Sequence, residues 1–398
     1  MELLRQYLLP ILIVLTAVVL QFRLYRYFRA TAWIQARRWR MRALQVVYYA
    51  LTLYMLLGAP RLVVGGYAVM ASVTLSWMLA ATLLWTVILI SGGLWLWLHG
   101  LVERRAAPRP GAGASRRAFL RTALPAVAAA PTVLAGVGFV IARSRPALKQ
   151  VDIHIPGLHA DLVGLRMSQL TDIHYGPFFG RRDLEYAVAM ANSTRPHIAL
   201  VTGDLITRRG DDLEGCLDVL RALCGDAGVW ACHGNHERYA RLEDTATELA
   251  EQRGFHVLRG ASETLRFGAA KLNLAGVDYQ PLGQAPLAGA EELLASDGPN
   301  VLLCHTPAVF DRAAELGFDL MISGHTHGGQ INVPLGVDNL TFVRLYTPYI
   351  QGHYRNDRSQ LYVSSGLGTV AMPVRLGATP EVTVIRLCAC LLYTSRCV

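Results

Sequence analysis

The sequence predicts an α/β region of two packed sheets flanked by helices, preceded by an all-α apolar region. Three observations predict it. Residues 1–149 hold 18 Lys and Arg against two acids, Glu2 and Glu103, whereas residues 150–398 hold 20 against 27. Long apolar runs between arginine clusters fill the first part, and short apolar strands alternating with helical segments fill the second. Adjacent strands at 262–267 and 271–277 break strict βα alternation, which argues for two sheets over one doubly wound sheet.

In the first part, apolar runs at 7–22, 43–60, 74–100 and 122–142 read as about four membrane spans. Gly65-Gly66 and Gly92-Gly93 are candidate breaks. Arg23 to Arg42 and Glu103 to Arg121 are strongly basic, so the positive-inside tendency puts both loops in the cytoplasm. The region after the last span is then extracytoplasmic, although Arg143, Arg145 and Lys149 weigh against that orientation. Residues 106–114 form a Pro/Gly/Ala linker, and Ser115-Arg116-Arg117-Ala118-Phe119-Leu120-Arg121 resembles an internal twin-arginine export signal. The expected domains are therefore a transmembrane region at 1–149, carrying that motif at 115–121, and an α/β region at 150–387. Residues 388–398 are an unassigned tail. The acidic second part argues against a nucleic-acid face, which needs clustered Lys and Arg. The seven cysteines form no disulfide framework: Cys216 and Cys224 sit too far apart on one helix, and Cys232 and Cys304 read as buried thiols on core strands.

In the second part, helices are expected at 181–193, 211–223, 241–253 and 308–316. Strands are expected at 166–173, 198–203, 228–232, 262–267, 271–277, 300–304, 319–323, 361–364 and 381–387. Residues 334–354 lack a period and read as a loop over the site. Five strands end in ligand-type residues: Asp172-x-His174, Gly203-Asp204, Gly234-Asn235-His236-Glu237, His305, and Gly324-His325-x-His327. Packing does not explain five such endings. Asp172 with His174, and His325 with His327, are two apart at strand termini, so each pair can point one way. Carboxylate oxygens and imidazole nitrogens suit Zn, Mn and Fe. A carboxylate such as Asp204 can bridge two cations, which together hold a phosphoryl group and activate a bridging water to hydroxide. No Gly-x-Ser-x-Gly or Walker-type loop points to another mechanism.

In this order the five motifs resemble the calcineurin-like metallophosphoesterase family over about residues 160–387. The string Ser323-Gly324-His325-Thr326-His327-Gly328-Gly329-Gln330, with Ser365-Gly366-Leu367-Gly368 and Pro380-Glu381, resembles its membrane-bound or twin-arginine-exported bacterial branch. The resemblance implies a four-layer αββα double β-sandwich and a phosphoric ester hydrolase acting on phosphodiester, pyrophosphate or phosphomonoester bonds. It implies a first metal on Asp172, His174, Asp204 and His327, and a second on Asp204, Asn235, His305 and His325. The catalytic residues carried over are Asp204, Asn235 and His236, with His236 facing substrate. The cofactors implied are two ions, Mn, Fe or Zn. A lipid-linked or cell-envelope phosphate ester suits a membrane-anchored enzyme. The competing reading is a membrane sensor whose weakly active phosphoesterase domain binds a ligand. Glu237 reads as orienting its loop, His233 as structural, and Tyr175, Arg182, Asp278 and Tyr279 as candidate substrate contacts.

Overall fold

In strand Ile198–Thr202 every side chain is buried, yet alternate residues go to different cores. Ile198 and Leu200 join one apolar cluster, Ala199 and Val201 another. A two-residue side-chain period forces this split when a strand is covered on both faces. The computed structural model describes residues 2–64, 73–105, 130–281, 283–335, 338–370 and 372–389, and the chain forms two compact units, Met1–Val137 and Gly138–Val398.

The second unit holds two six-stranded sheets. The first runs in the order β1 (Ala147–Ile155), β14 (Glu381–Ala389), β2 (Arg166–Leu170), β3 (Ile198–Thr202), β4 (Val229–Cys232), β5 (Phe255–Val257). Only the β14–β2 pair is antiparallel. The second runs β12 (Gly352–Asn356), β13 (Ser359–Val363), β9 (Leu320–Ser323), β8 (Asn300–Leu303), β7 (Ala270–Gly276), β6 (Ala261–Phe267), with antiparallel pairs at its two edges. Met167, Leu200, Trp230, Leu274, Leu303 and Ile322 pack in the cluster shared by the two sheets. The outer face of the first sheet is covered by Leu184 and Val188 of Arg181–Ser193, Cys216 and Leu220 of Leu213–Leu220, and Ala246 and Ala250 of Glu243–Glu251. Phe310 and Ala313 of Phe310–Leu316 cover Leu302, Met321 and Leu361 on the second. The layers are therefore helix, sheet, sheet, helix, as the paired strands at 262–277 require.

All nine expected strands are present. The edge strands β1, β5 and β12 are not foreseen, and β10 (Val333–Leu335) pairs antiparallel with β11 (Asp338–Leu340) in a stretch where a loop is expected.

The first unit contains α1 (Glu2–Arg29), α2 (Ala32–Gln35), α3 (Arg38–Val64) and α4 (Val73–Arg105), and residues 130–142 are also helical. Gln21, 5% exposed, ties α1 to both long neighbours. Its Nε2 donates to Thr52 Oγ1 at 2.6 Å, and its Oε1 accepts from Trp85 Nε1 at 3.1 Å. Gly92 and Gly93 do not break α4. They let it approach α1, because a Cβ at either would collide with Leu24 or Leu20. Among the described residues no helix is long and apolar enough to cross a membrane. The expectation of about four spans is therefore not supported among these residues. Gly65-Gly66, the linker 106–114, the twin-arginine-like motif at 115–121, residues 122–129 of the last expected span and the tail 390–398 lie outside the described residues.

Candidate metal centre

The strands stop where backbone geometry changes sign. Among the described residues ten non-glycine positions have a left-handed φ, and five are Asp172 (50°), His174 (46°), Asp204 (55°), His325 (72°) and His327 (51°). Each such residue costs about 1–2 kcal/mol against ordinary backbone, and strain of this kind collects at functional sites. Glycines make room around it. A Cβ on Gly234 would strike the Asp204 carboxylate, and one on Gly324 or Gly366 would strike Asp172.

The structure brings all seven candidate ligands to one place. Asp172, His174 and His327 form one group whose ligand atoms lie within 4.8 Å of one another, and Asp204, His305 and His325 form a second. His327 Nε2 lies 3.4 Å from Asp172 Oδ1 and 3.1 Å from His174 Nε2. Asn235 Oδ1 lies 2.6 Å from His325 Nδ1. Asp204 also reaches the first group, and with His174 and His236 it makes a third such cluster: its Oδ2 is 3.6 Å from His174 Nε2 and 3.0 Å from His305 Nε2. Its other oxygen accepts the His236 amide at 2.9 Å, so Oδ2 is the atom left facing both groups. Every residue of the set is at least nine-tenths buried except His325, which is intermediate.

Second contacts fix which ring nitrogen faces inward. His305 Nδ1–H donates to the Thr202 carbonyl at 2.7 Å, which leaves Nε2 toward Asp204. The His236 Nδ1–H donates to the Thr207 carbonyl at 2.5 Å, and Thr207 Oγ1 lies 3.1 Å from His174 Nδ1. Thr207 thus orients two histidines. Glu237 accepts the amides of Asp204, Leu205 and Gly234 at 2.7–3.0 Å and so fixes the end of β3 to the His236 loop. Sequence gives no signal for Thr207, whereas Glu237 does orient its loop as its place in the motif suggests.

The electrostatics are those of a site that wants a cation. Burial pushes the Asp172 carboxyl up to about 6, and burial, then neighbouring His236, hold His174 well below its usual range. Burial, then the charge on His305, pull His325 down to about 3. Burial opposes ionisation of His305, but the Asp204 carboxylate overrides it and lifts the imidazole to about 10. Asp204 is correspondingly held well below the carboxylate range, its own burial outweighed by His305 and His236. The buried Nε2 of His305 makes no well-formed hydrogen bond. Two buried carboxylates beside the facing imidazoles of His174 and His327, with His305 Nε2 3.0 Å from Asp204, fit an oxygen- and nitrogen-liganded divalent ion.

Other candidates fall elsewhere. His233 is buried, with Nε2 at 2.7 Å from Thr247 Oγ1. Asp278 is engaged by the Arg259 fork at 3.0 Å, and Arg182 is exposed. Tyr175 is buried against the helices of the first sheet. Of the four suggested substrate contacts, Tyr279 lies by the centre, its ring 5.9 Å from His325 and 6.1 Å from the exposed Tyr239.

Comparison with known proteins decides the family. The profile of the calcineurin-like phosphoesterase family matches residues 165–329. The Bacillus subtilis metallophosphoesterase YkoQ is 30% identical over 192 residues, 47% of this chain and 70% of that protein. The chain belongs to the calcineurin-like phosphoesterase family. It is by family a metal-dependent phosphoric ester hydrolase. The B. subtilis metallophosphoesterase YkuE is 29% identical over 69% of this chain and 97% of its own length. A Bos taurus "transmembrane protein with metallophosphoesterase domain" is 32% identical over 68% of this chain, but the match covers 63% of the bovine protein.

Proposed function

We propose that this phosphoesterase is a membrane-associated hydrolase of phosphodiester or pyrophosphate bonds that holds two divalent ions. Asp172, His174 and His327 would hold one ion, Asn235, His305 and His325 the other, with Asp204 between them. The observation that carries this is the position of Asp204 Oδ2, within 3.6 Å of one nitrogen from each group. Bound there, Mn, Fe or Zn supplies Lewis-acid stabilisation of phosphoryl charge and makes water acidic enough to attack at neutral pH. The chain's own residues do the rest. His236 is anchored through Nδ1 by the Thr207 carbonyl, so Nε2 is the nitrogen left free to meet the substrate's leaving oxygen. Asn235 and His236 begin a short helix at Asn235–Ala240, and the His236 amide donates to the Asp204 carboxylate at 2.9 Å, which fixes this helix start beside the centre. The backbone is fixed before substrate arrives, so little reorganisation accompanies reaction.

Membrane association rests on the helical unit and on the bovine relative's name. Leu15, Val19, Val46, Leu53, Ile90 and Trp97 are each more than half exposed on α1, α3 and α4, the reverse of a water-facing bundle. A lipid-linked or cell-envelope phosphate ester, and a catalytic unit outside the cytoplasm, follow as parts of the same proposal. A reporter fused after Leu387 tests the orientation, and activity confined to the cytoplasm would overturn it. The central test is metal analysis of the full chain, with hydrolysis of bis-p-nitrophenyl phosphate before and after chelation. About two ions per chain and chelator-sensitive diester cleavage are expected; a chain that cleaves the diester with no bound metal would overturn the assignment.

A further inference from the structure

Arg375 is the largest fully buried side chain among the described residues, with no exposed surface. Burial pulls its guanidinium down to about 10, so it remains a cation at neutral pH. No carboxylate is hydrogen-bonded to it among the described residues; five backbone carbonyls take its protons instead. Nη1–H groups point to Ser365 at 2.9 Å, Ala378 at 3.1 Å and His327 at 3.5 Å. Nη2 reaches Gly366 at 3.3 Å, and Nε and Nη2 both reach Gly368. Nη2 also stands 3.4 Å from His327 Nδ1, too long to fix the ring by itself. A planar fork of five donors matches such a set of carbonyls, and no other side chain carries it.

The segments that Arg375 joins are those that hold one half of the centre. The Gly368 amide donates to the Asp172 carbonyl at 2.7 Å, and Leu367 donates to Thr171 at 3.1 Å. Side chains at Gly366 and Gly368 would collide with Asp172 and His174, so this loop lies flat against both ligands. His327 comes from a different sheet end, after β9. Arg375 therefore spans the gap between the Asp172–His174 arm and the His327 arm. The other half is held by different groups: Thr202 fixes His305, and Glu237 fixes the start of the Asn235 helix.

We propose that Arg375 is a positioning residue that sets the separation of Asp172 and His174 from His327, and so controls occupancy of that ion site selectively. The inference rests on the two-ion reading above. Its test is Mn(II) binding to the full-length wild type, R375M and R375K, read by metal content after equilibrium dialysis and by electron paramagnetic resonance. Wild type is expected to hold about two Mn per chain, with an exchange-coupled signal. R375M is expected to keep about one Mn per chain, to show an uncoupled signal, and to bind the second ion at least about tenfold more weakly. R375K restores the charge but not the planar fork and should fall between. Should R375M fail to fold, R375K carries the test. R386A, which removes an exposed pair with Asp152 on the same sheet, should bind like wild type. Two coupled ions at wild-type affinity in both Arg375 variants would overturn the proposal, whatever their thermal stability. A wild type that binds no Mn would instead overturn the two-ion reading, and this inference with it.

Discussion

The helical unit and the α/β unit use apolar residues in opposite ways. In the α/β unit, Leu200, Leu303 and Ile322 are wholly buried, and the polar residues beside them are buried too, at the strand ends. In the helical unit, Val46 and Leu53 face outward, while polar Gln21 and Thr82 are buried between helices. The difference teaches where each unit keeps its specificity. Sheets pack by area, and their strand ends are free to carry chemistry. In the helical bundle, hydrogen bonds from Gln21 and close glycine contacts at Gly92 and Gly93 join α1 to its neighbours.

The sharpest way to break that comparison is to disable the strand ends alone. Chelation, or Asp204→Asn, should reduce diester hydrolysis to background while circular dichroism of both units stays unchanged; persisting turnover in the variant would remove Asp204 from the bridging position. His236→Ala should lower kcat roughly 10²–10⁴-fold with metal content intact, the range for a lost acid–base group. Loss of bound metal in that variant would recast His236 as a ligand. Glu237→Gln turns one acceptor oxygen into a donor facing amides, and should cost about 1.5–3 kcal/mol, read as a lowered thermal midpoint. The smallest effect belongs to the helical unit. Gln21→Leu strands the Trp85 Nε1–H, while the Thr52 hydroxyl keeps its bond to the Tyr48 carbonyl at 2.7 Å, and should cost about 1–3 kcal/mol of bundle stability. Metal content and turnover should not move; if they fall, the two units are coupled.

Much of the α/β unit was legible because local signals suffice there. Short β-branched runs end in Asp, Asn or His, and a strand terminus is where a side chain is free to leave the sheet. The edge strands were not legible. β1 pairs with β14, and the Arg386–Asp152 contact spans 234 residues, so no local period announces it. The helical unit misled in a specific way: Gly92-Gly93 looks like a break, yet serves close packing of α4 on α1.

The sequence by itself determined the ligand types, their order along the chain and the two-sheet architecture, because residue chemistry and side-chain period are local properties. Only the tertiary structure decided that Asp204 turns Oδ2 between two histidines, that five candidate ligand positions adopt left-handed backbone, and that Thr207 and Arg375 meet the residues around them. Those features depend on which strand ends meet across two sheets. That meeting is set by burial of the cluster between the sheets, a property of the whole fold and of no single segment.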